Sequence, residues 1–392
     1  RSELFIFKKS PVFTEGDTKY NRIFCDETAT ANIDLANVGK SIIPSGHYLK
    51  MEHYALQNTD VTQLVIEDGA TFIPAIGSTQ PKATVMKHIN KFTSAGSASI
   101  LPNGWVLLGS PVGAVNANGL TQIDGSQVSG LATGNYDVYT FDAVQVHEWR
   151  NYKANQYSMT FGGGPALLYG NDADVDITFV GNLATQFDDQ PLSYVGNGDL
   201  KGWNLIGNPF VCEATLSRDY LRLNDDGSEL IVGDGLVRPM EGVFVQATAS
   251  GETYNFVPDG ATMSCSLSIE LMGSNSDSKD MMLLDRAMVR FGEGNALGKM
   301  MLNSANTKLY LQEDGNDYAV VHSKSKGELP VCIEAATNGT YTLTVTPCNV
   351  EMNYLHLIDN ITGADIDLLV YEPVEGPVTY TFEAKTTDNA IS

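Results

Sequence analysis

The sequence is poor in positive charge. Lys and Arg number 24 against 47 Asp and Glu, a formal net charge of -23 at pH 7. Nucleic acid and anionic membrane surfaces need basic patches, so this balance excludes both as partners. It favours solubility and leaves carboxylates over for divalent cations. Long apolar runs are missing too, none reaching the roughly 18–20 residues of a membrane-crossing helix, which excludes direct membrane insertion. No h-region follows the basic residues of Arg1–Lys9, as a signal peptide would require. The five cysteines, Cys25, Cys212, Cys265, Cys332 and Cys348, are odd in number and widely scattered. That excludes a disulfide-dense scaffold and any CxxC zinc pattern, and they read as buried free thiols. Catalytic signatures are absent as well. The histidines make no HExxH spacing, and there is no GxSxG elbow. Gly162-Gly163-Gly164-Pro165 lacks the Lys and helix of a phosphate loop and reads as a turn.

What is present is β chemistry. Helix-forming runs are scarce, Val, Ile, Thr, Tyr and Phe are plentiful, and Gly, Asn and Asp recur at short intervals. The 392 residues are too many for one ordinary core and predict two to four domains. Two stretches organise them. Gly104-Trp105-Val106-Leu107-Leu108-Gly109-Ser110-Pro111-Val112 and Gly202-Trp203-Asn204-Leu205-Ile206-Gly207-Asn208-Pro209-Phe210 share one template, 98 positions apart, and hold two of the three tryptophans. Each reads as a short strand running into a forced turn. Gly207 is the expected place for a positive φ, and Pro209 holds Asn208 extended and stops the ladder. A buried Trp removes about 150–250 Å² from water, about 4–6 kcal/mol as an upper value. Trp105, Trp203, Gly109, Gly207, Pro111 and Pro209 are therefore structural pegs rather than a catalytic motif.

In chain order, residues 1–81 carry short apolar runs such as Ser41-Ile42-Ile43 and Leu64-Val65-Ile66, punctuated by Gly or Asp-Gly about every 20 residues. These suit the rungs of a β-solenoid or a small antiparallel sheet. Residues 82–260 form a duplicated β domain, each half running from a Gly-Trp strand through an excursion to an apolar and then an alternating strand. One short helix is expected at Glu213–Leu221. Residues 261–392 carry eight short strands, from Ala287–Phe291 to Thr379–Ala384, and read as an immunoglobulin-like β-sandwich. Within it Asn338-Gly339 is a type I′ hairpin signal that would set Cys332 opposite Val345 and leave Cys348 facing away. The fold class is all-β throughout.

The Gly-Trp-x-Leu-Ile-Gly-Asn-Pro-Phe turn, with Ile177-Thr178-Phe179-Val180-Gly181 before it and Pro239-Met240-Glu241-Gly242-Val243-Phe244-Val245 after it, resembles extracellular proteins of Bacteroidetes. So do Leu64-Val65-Ile66-Glu67-Asp68-Gly69-Ala70, Gly339-Thr340-Tyr341-Thr342-Leu343 and Asp359-Asn360-Ile361-Thr362-Gly363. In that family such modules sit upstream of a C-terminal sorting domain read by the type IX secretion system, so the resemblance implies export to the cell surface. It covers about residues 30–390, its motifs are structural, and no sorting domain is recognisable before Ser392.

Few residues point to chemistry. In Asn171-Asp172-Ala173-Asp174-Val175-Asp176 the acids recur at every second position. Asp172, Asp174 and Asp176 are the candidate calcium ligands, although alternation with Val175 and Ile177 equally describes a strand with one wet face. Glu313-Asp314-Gly315-Asn316-Asp317 is a second acidic turn, and Asp188-Asp189 reads as a solvated loop. His88, His147, His322 and His356 fall in predicted strands and read as face-lining or hydrogen-bonded core residues. Trp149, Tyr152 and Tyr157 are the densest aromatic cluster outside the Gly-Trp turns, the candidate for stacking on a carbohydrate. Together these favour a non-enzymatic secreted or cell-surface adhesin or structural module, with no cofactor beyond calcium. Its partners would be surface glycans or proteins, or further copies of itself. The alternatives are a carbohydrate-binding or spacer region of a larger secreted hydrolase, and a subunit of an extracellular filament or surface layer.

Overall fold

The computed structural model describes residues 20–91, 105–116, 121–122, 136–144, 148–151, 160–196, 198–225, 227–260, 266–274, 281–323, 327–350, 352–369 and 377–386. The chain is all-β, with one short α-helix, Leu35–Val38, and one 3-10 turn, Gly198–Leu200, among the described residues.

The N-terminal runs form the parallel solenoid of the two expected arrangements. Arg22–Ile23, Ser41–Ile43, Leu64–Ile66 and Lys82–Ile89 pair in parallel on one face. Glu27–Thr28, Tyr48–Lys50 and Thr71–Ile73 do so on a second, and Ile33–Asp34 with Leu56–Gln57 on a third. Paired residues lie 19 to 23 positions apart, enough chain for the crossover that parallel pairing demands. Gly46 and Gly69, both at positive φ, turn the same corner one rung apart, and the Gly46 N–H donates to the Gly69 carbonyl at 3.0 Å. Phe24, Leu35, Ile43, Leu49, Leu64 and Phe72 stack inside.

The solenoid does not end at residue 81. Lys82–Ile89 continues its sheet, and Val175–Asn182 closes it by antiparallel pairing from Ile89↔Val175 to Lys82↔Asn182. One core consequently runs from Phe24 through Val138, Tyr169 and Phe179 to Met240.

The duplication is visible strand by strand. In the first unit the sheet order is Val106–Leu108, Leu167–Asn171, Tyr136–Phe141, Trp149–Asn151. In the second it is Trp203–Gly207, Gly242–Gln246, Leu221–Leu223, Leu230–Val232. The expected helix at Glu213–Leu221 is instead the strand Ala214–Leu216 followed by the first residue of another. Ala214–Leu216 pairs with both Leu236–Val237 and Phe256–Pro258 and buries Ala214 and Leu216, so tertiary pairing overrides local helix propensity.

The units meet about a pseudo-two-fold axis. Leu108 bridges to Glu241, and its equivalent Ile206 bridges to Pro165. The Gly109 N–H donates to the Met240 carbonyl at 2.7 Å, and the Gly207 N–H to the Gly164 carbonyl at 2.8 Å. On the axis the two motif glycines touch: a methyl group on Gly207 would lie 2.7 Å from Cα of Gly109. This corrects the expected positive φ. Gly207 sits in the ladder opposite Gly242, and what it supplies is the missing side chain that lets two backbones meet. The next motif position differs between the halves. Asn208, fully buried, donates to the carbonyls of Cys212, Val237 and Arg238 and accepts from the Phe210 N–H, whereas Ser110 only accepts from Val112. Pro111 and Pro209 are buried just past the strand ends.

The C-terminal strands join in one continuous eight-stranded sheet, with the ribbon His356–Ile358 and Asp365–Asp367 as a small second layer. Leu355, Leu357 and Leu368 pack on its core. The Asn338-Gly339 hairpin does not form. Val331–Glu334 pairs with Lys308–Glu313, while Gly339–Cys348 pairs with the longer strands Ser266–Ser274 and Val378–Ala384. A ten-residue strand, paired on both sides from Tyr341 to Val345, outweighs a two-residue turn preference. Cys332 therefore lies opposite Tyr310, not Val345. Of the described cysteines all are free, with Cys212 and Cys332 buried, Cys25 half-buried and Cys348 exposed; Cys265 lies outside the described residues.

Polar pins fix this domain to the second unit. Asp219 accepts from Arg290 Nε at 2.9 Å and lies 2.8 Å from His322 Nε2, and Arg286 Nη1 donates to the Val232 carbonyl at 3.0 Å. An apolar core crosses the same boundary, from Leu168, Trp203, Leu221 and Phe244 to Met288, Leu297 and Val320.

Candidate functional site

The equivalence of the two units locates the site. Matched by register, Tyr139, Phe141 and Trp149 of the first unit correspond to Leu221, Leu223 and Leu230 of the second. Leu221 and Leu230 are fully buried, whereas Tyr139 and Trp149 are half-buried; Phe141 and its equivalent Leu223 are both half-buried. One unit thus spends this sheet face on packing and the other presents it. Alternation puts Tyr139 and Phe141 on the same face, and the hairpin sets Trp149 directly opposite Phe141.

These side chains wall a cleft of about 290 Å³ where the two units and the C-terminal domain meet. Phe141 and Trp149 meet edge to face with centroids 5.5 Å apart, and Phe244 from the second unit meets both, at 5.0 and 5.9 Å. Trp105 lies 5.8 Å from Tyr139 and packs flat on Gly170, where a methyl group would come within 2.8 Å of the indole. The remaining walls are Leu168, Leu200 and the run Met300-Met301-Leu302, and Glu148 is the charged residue of the lining among the described residues.

The methionine wall is held by charge. Glu229 of the second unit is buried and accepts from the N–H groups of Leu230, Leu302 and Asn303 and from Asn306 Nδ2. Burial outweighs these donors and leaves its carboxyl above the ordinary range. At the other end of the run Lys299 Nζ lies 2.6 Å from both oxygens of Asp285, with side chains 2% and 0% exposed. Burial likewise raises Asp285, against the attraction of Lys299. Such a pair fixes geometry more than it adds stability. The Gly298 N–H donates to Gln246 Oε1 at 2.9 Å, a third point of attachment.

Trp203 is 3% exposed and serves as the expected peg, but its equivalent Trp105 is half-buried and lines the cleft. Trp149 lies in the cleft wall, while Tyr152 and Tyr157 lie outside the described residues. Asp172, Asp174 and Asp176 are exposed along one strand edge rather than gathered. Asp174 Oδ1 accepts from the Lys91 N–H, and Asp176 Oδ1 is 2.8 Å from His88 Nδ1. Among the described residues no three His, Cys, Asp or Glu side chains are grouped to hold a metal ion. Asp314 and Gly315, both at positive φ, are a two-residue hairpin turn closing Glu313↔Asn316. His356 pairs with Asp365 and stacks on Tyr354, whereas His147 lies outside the described residues.

Sequence reading reached Trp105 and Trp149 but not Tyr139, Phe141, Glu148, Phe244 or Met300. The alternation of Tyr136–Phe141 carried a signal for two of them. The others come together only through unit docking. No helix among the described residues is long and apolar enough to cross a membrane. No protein-family model, no curated protein and no solved structure matches this chain.

Proposed function

We propose that this chain is a non-enzymatic binding module of a secreted or cell-surface protein, and that it takes its ligand in the aromatic cleft. The observation that carries the reading is the exchange of buried Leu221 and Leu230 in the second unit for half-buried Tyr139 and Trp149 in the first, with half-buried Phe141 in the place of half-buried Leu223. Packing alone gives no reason to leave such large apolar surface unburied, and concave aromatic clefts with few polar groups are the usual form of a small-molecule site. The walls come from both units and the C-terminal domain, and the methionine wall is fixed by Glu229, Lys299 and Gln246, so that side of the site is preorganised. The resemblance of the Gly-Trp units to type IX cargo supports the extracellular placement.

The test is a binding screen of the whole chain against glycans, peptides and small amphiphiles, repeated with Trp149→Ala. We expect at least one ligand class whose affinity falls about tenfold or more in the variant, with the melting temperature reported alongside. Ligands that bind the variant unchanged would place the site elsewhere. Turnover of a substrate that depends on paired carboxylates would refute the non-enzymatic reading.

A further inference from the structure

We propose, resting on that reading, that the cleft is a site for a methylated ammonium ion. Two of its half-buried rings, Phe141 and Trp149, stand at 71° to one another, with fully buried Phe244 packed behind them at 85° and 89°. Rings so arranged are the walls of a box. Trp105 and Tyr139, tilted at 55°, add a further pair. Aromatic faces carry negative charge and attract a desolvated cation.

The charged group at the lining agrees in sign. Glu148 is acidic, and no Lys or Arg lines the cleft among the described residues. The formal net charge of -23 raises the concentration of cations near the surface. Met300 and Met301 offer polarisable thioethers to methyl groups.

Hydrogen-bond supply then selects among cations and against sugars. A primary ammonium brings three N–H donors, and a sugar brings several hydroxyls. Among the described residues, the lining side chains give, apart from Glu148, the Tyr139 hydroxyl and the two indole N–H groups, which leaves such ligands with unmet donors at a cost. A quaternary ammonium has no donor to satisfy. A volume of about 290 Å³ admits that head group with a short polar tail.

The test is calorimetric titration of the whole chain with choline, with its neutral carbon isostere 3,3-dimethylbutan-1-ol, and with ethanolamine. Choline is expected to bind about tenfold or more tighter than either. The isosteric substitution Glu148→Gln, which leaves the rings in place, is expected to weaken choline by about tenfold and to leave the alcohol unchanged. Equal affinity for choline and the alcohol overturns the cation inference while leaving the cleft as a ligand site. Tighter binding of ethanolamine overturns it in favour of a hydrogen-bonded amine. Binding of none of the three, with thermal unfolding unchanged by their presence, overturns the inference, while the reading on which it rests stands or falls with the Trp149→Ala screen.

Discussion

The contact between Gly109 and Gly207 makes a graded prediction about two chemically identical substitutions. In Gly207→Ala the new methyl group would lie 2.7 Å from Cα of Gly109 and 3.2 Å from Cβ of Ala166. Carbon atoms prefer separations of about 3.5–4.0 Å, so the main chains must part by close to 1 Å. Overpacking of that kind costs about 1–3 kcal/mol, and the upper end applies because the obstructing atom is backbone. Loss of glycine's freedom in the unfolded chain returns about 0.4–1 kcal/mol. The net loss is about 2 kcal/mol, a fall of about 4–8 °C in melting temperature for a domain of this size. In Gly109→Ala the nearest atoms, the Asn208 carbonyl oxygen and Cα of Gly207, lie at 3.1 Å, and a shift of a few tenths of an ångström suffices. That variant should fall within about 0.5 kcal/mol of the parent. The double variant should be less destabilised than the sum, because the second methyl group enters a gap already opened. Equilibrium unfolding in urea, followed by tryptophan emission, is the assay, since all three tryptophans belong to the duplicated domain. Gly327→Ala, with nothing within 4 Å of the added methyl group and no positive φ, is the neutral control. If Gly207→Ala behaves like that control, or Gly109→Ala proves the more damaging, close backbone approach is not what the motif glycine is for.

Asn208→Ala strands two buried carbonyls, one part-buried carbonyl and one N–H, and should cost about 3 kcal/mol by urea unfolding, whereas Ser110→Ala should cost under about 1 kcal/mol. Burial alone would raise the Asp219 carboxyl, but the His322 hydrogen bond and the Arg290 charge outweigh it and hold it below its ordinary value. Its stabilising contribution is therefore complete above about pH 4 and lost as pH falls through the depressed value. Asp219→Asn should lower stability by about 3 kcal/mol at neutral pH, and the gap from the parent should close in acid. Burial pushes the Cys212 thiol up to about 12, so a thiol reagent at neutral pH should label exposed Cys348 in the native chain and reach Cys212 only on unfolding. Native labelling of Cys212 in peptide mapping would contradict its placement in the core.

Sequence carried the duplication, and narrowed the N-terminal region to a solenoid or a small antiparallel sheet, because both stretches repeat. Two Gly-Trp strands of one template, and apolar triplets such as Ser41-Ile42-Ile43 set about 20 residues apart, are periodic signals that need no knowledge of the fold. The role of Gly207 was not legible in the same way. A glycine that avoids a clash reads like one that turns the chain, and only the partner at Gly109, 98 positions away, distinguishes them. Local signals failed wherever long pairing competed. The Asn338-Gly339 turn yielded to ladders running the length of Gly339–Cys348, and the helical reading of Glu213–Leu221 yielded to pairing of Ala214–Leu216 on both sides. The cleft was half visible. Trp149 stood out as an aromatic, but Phe244 and Met300 reach it from two other parts of the chain.

A contact that maps onto itself under a half-turn is what two copies of one polypeptide make when they dimerise. Here both copies share a single backbone, and that removes a constraint a homodimer can never escape. Any residue beside a true symmetry axis must serve two places at once, so a site gained on one protomer appears on both. Tethered in tandem, the halves have kept the glycines on which their association depends and drifted elsewhere. One has become an anchor for its neighbours and the other has opened a hollow, and neither had to ask the other's permission to change.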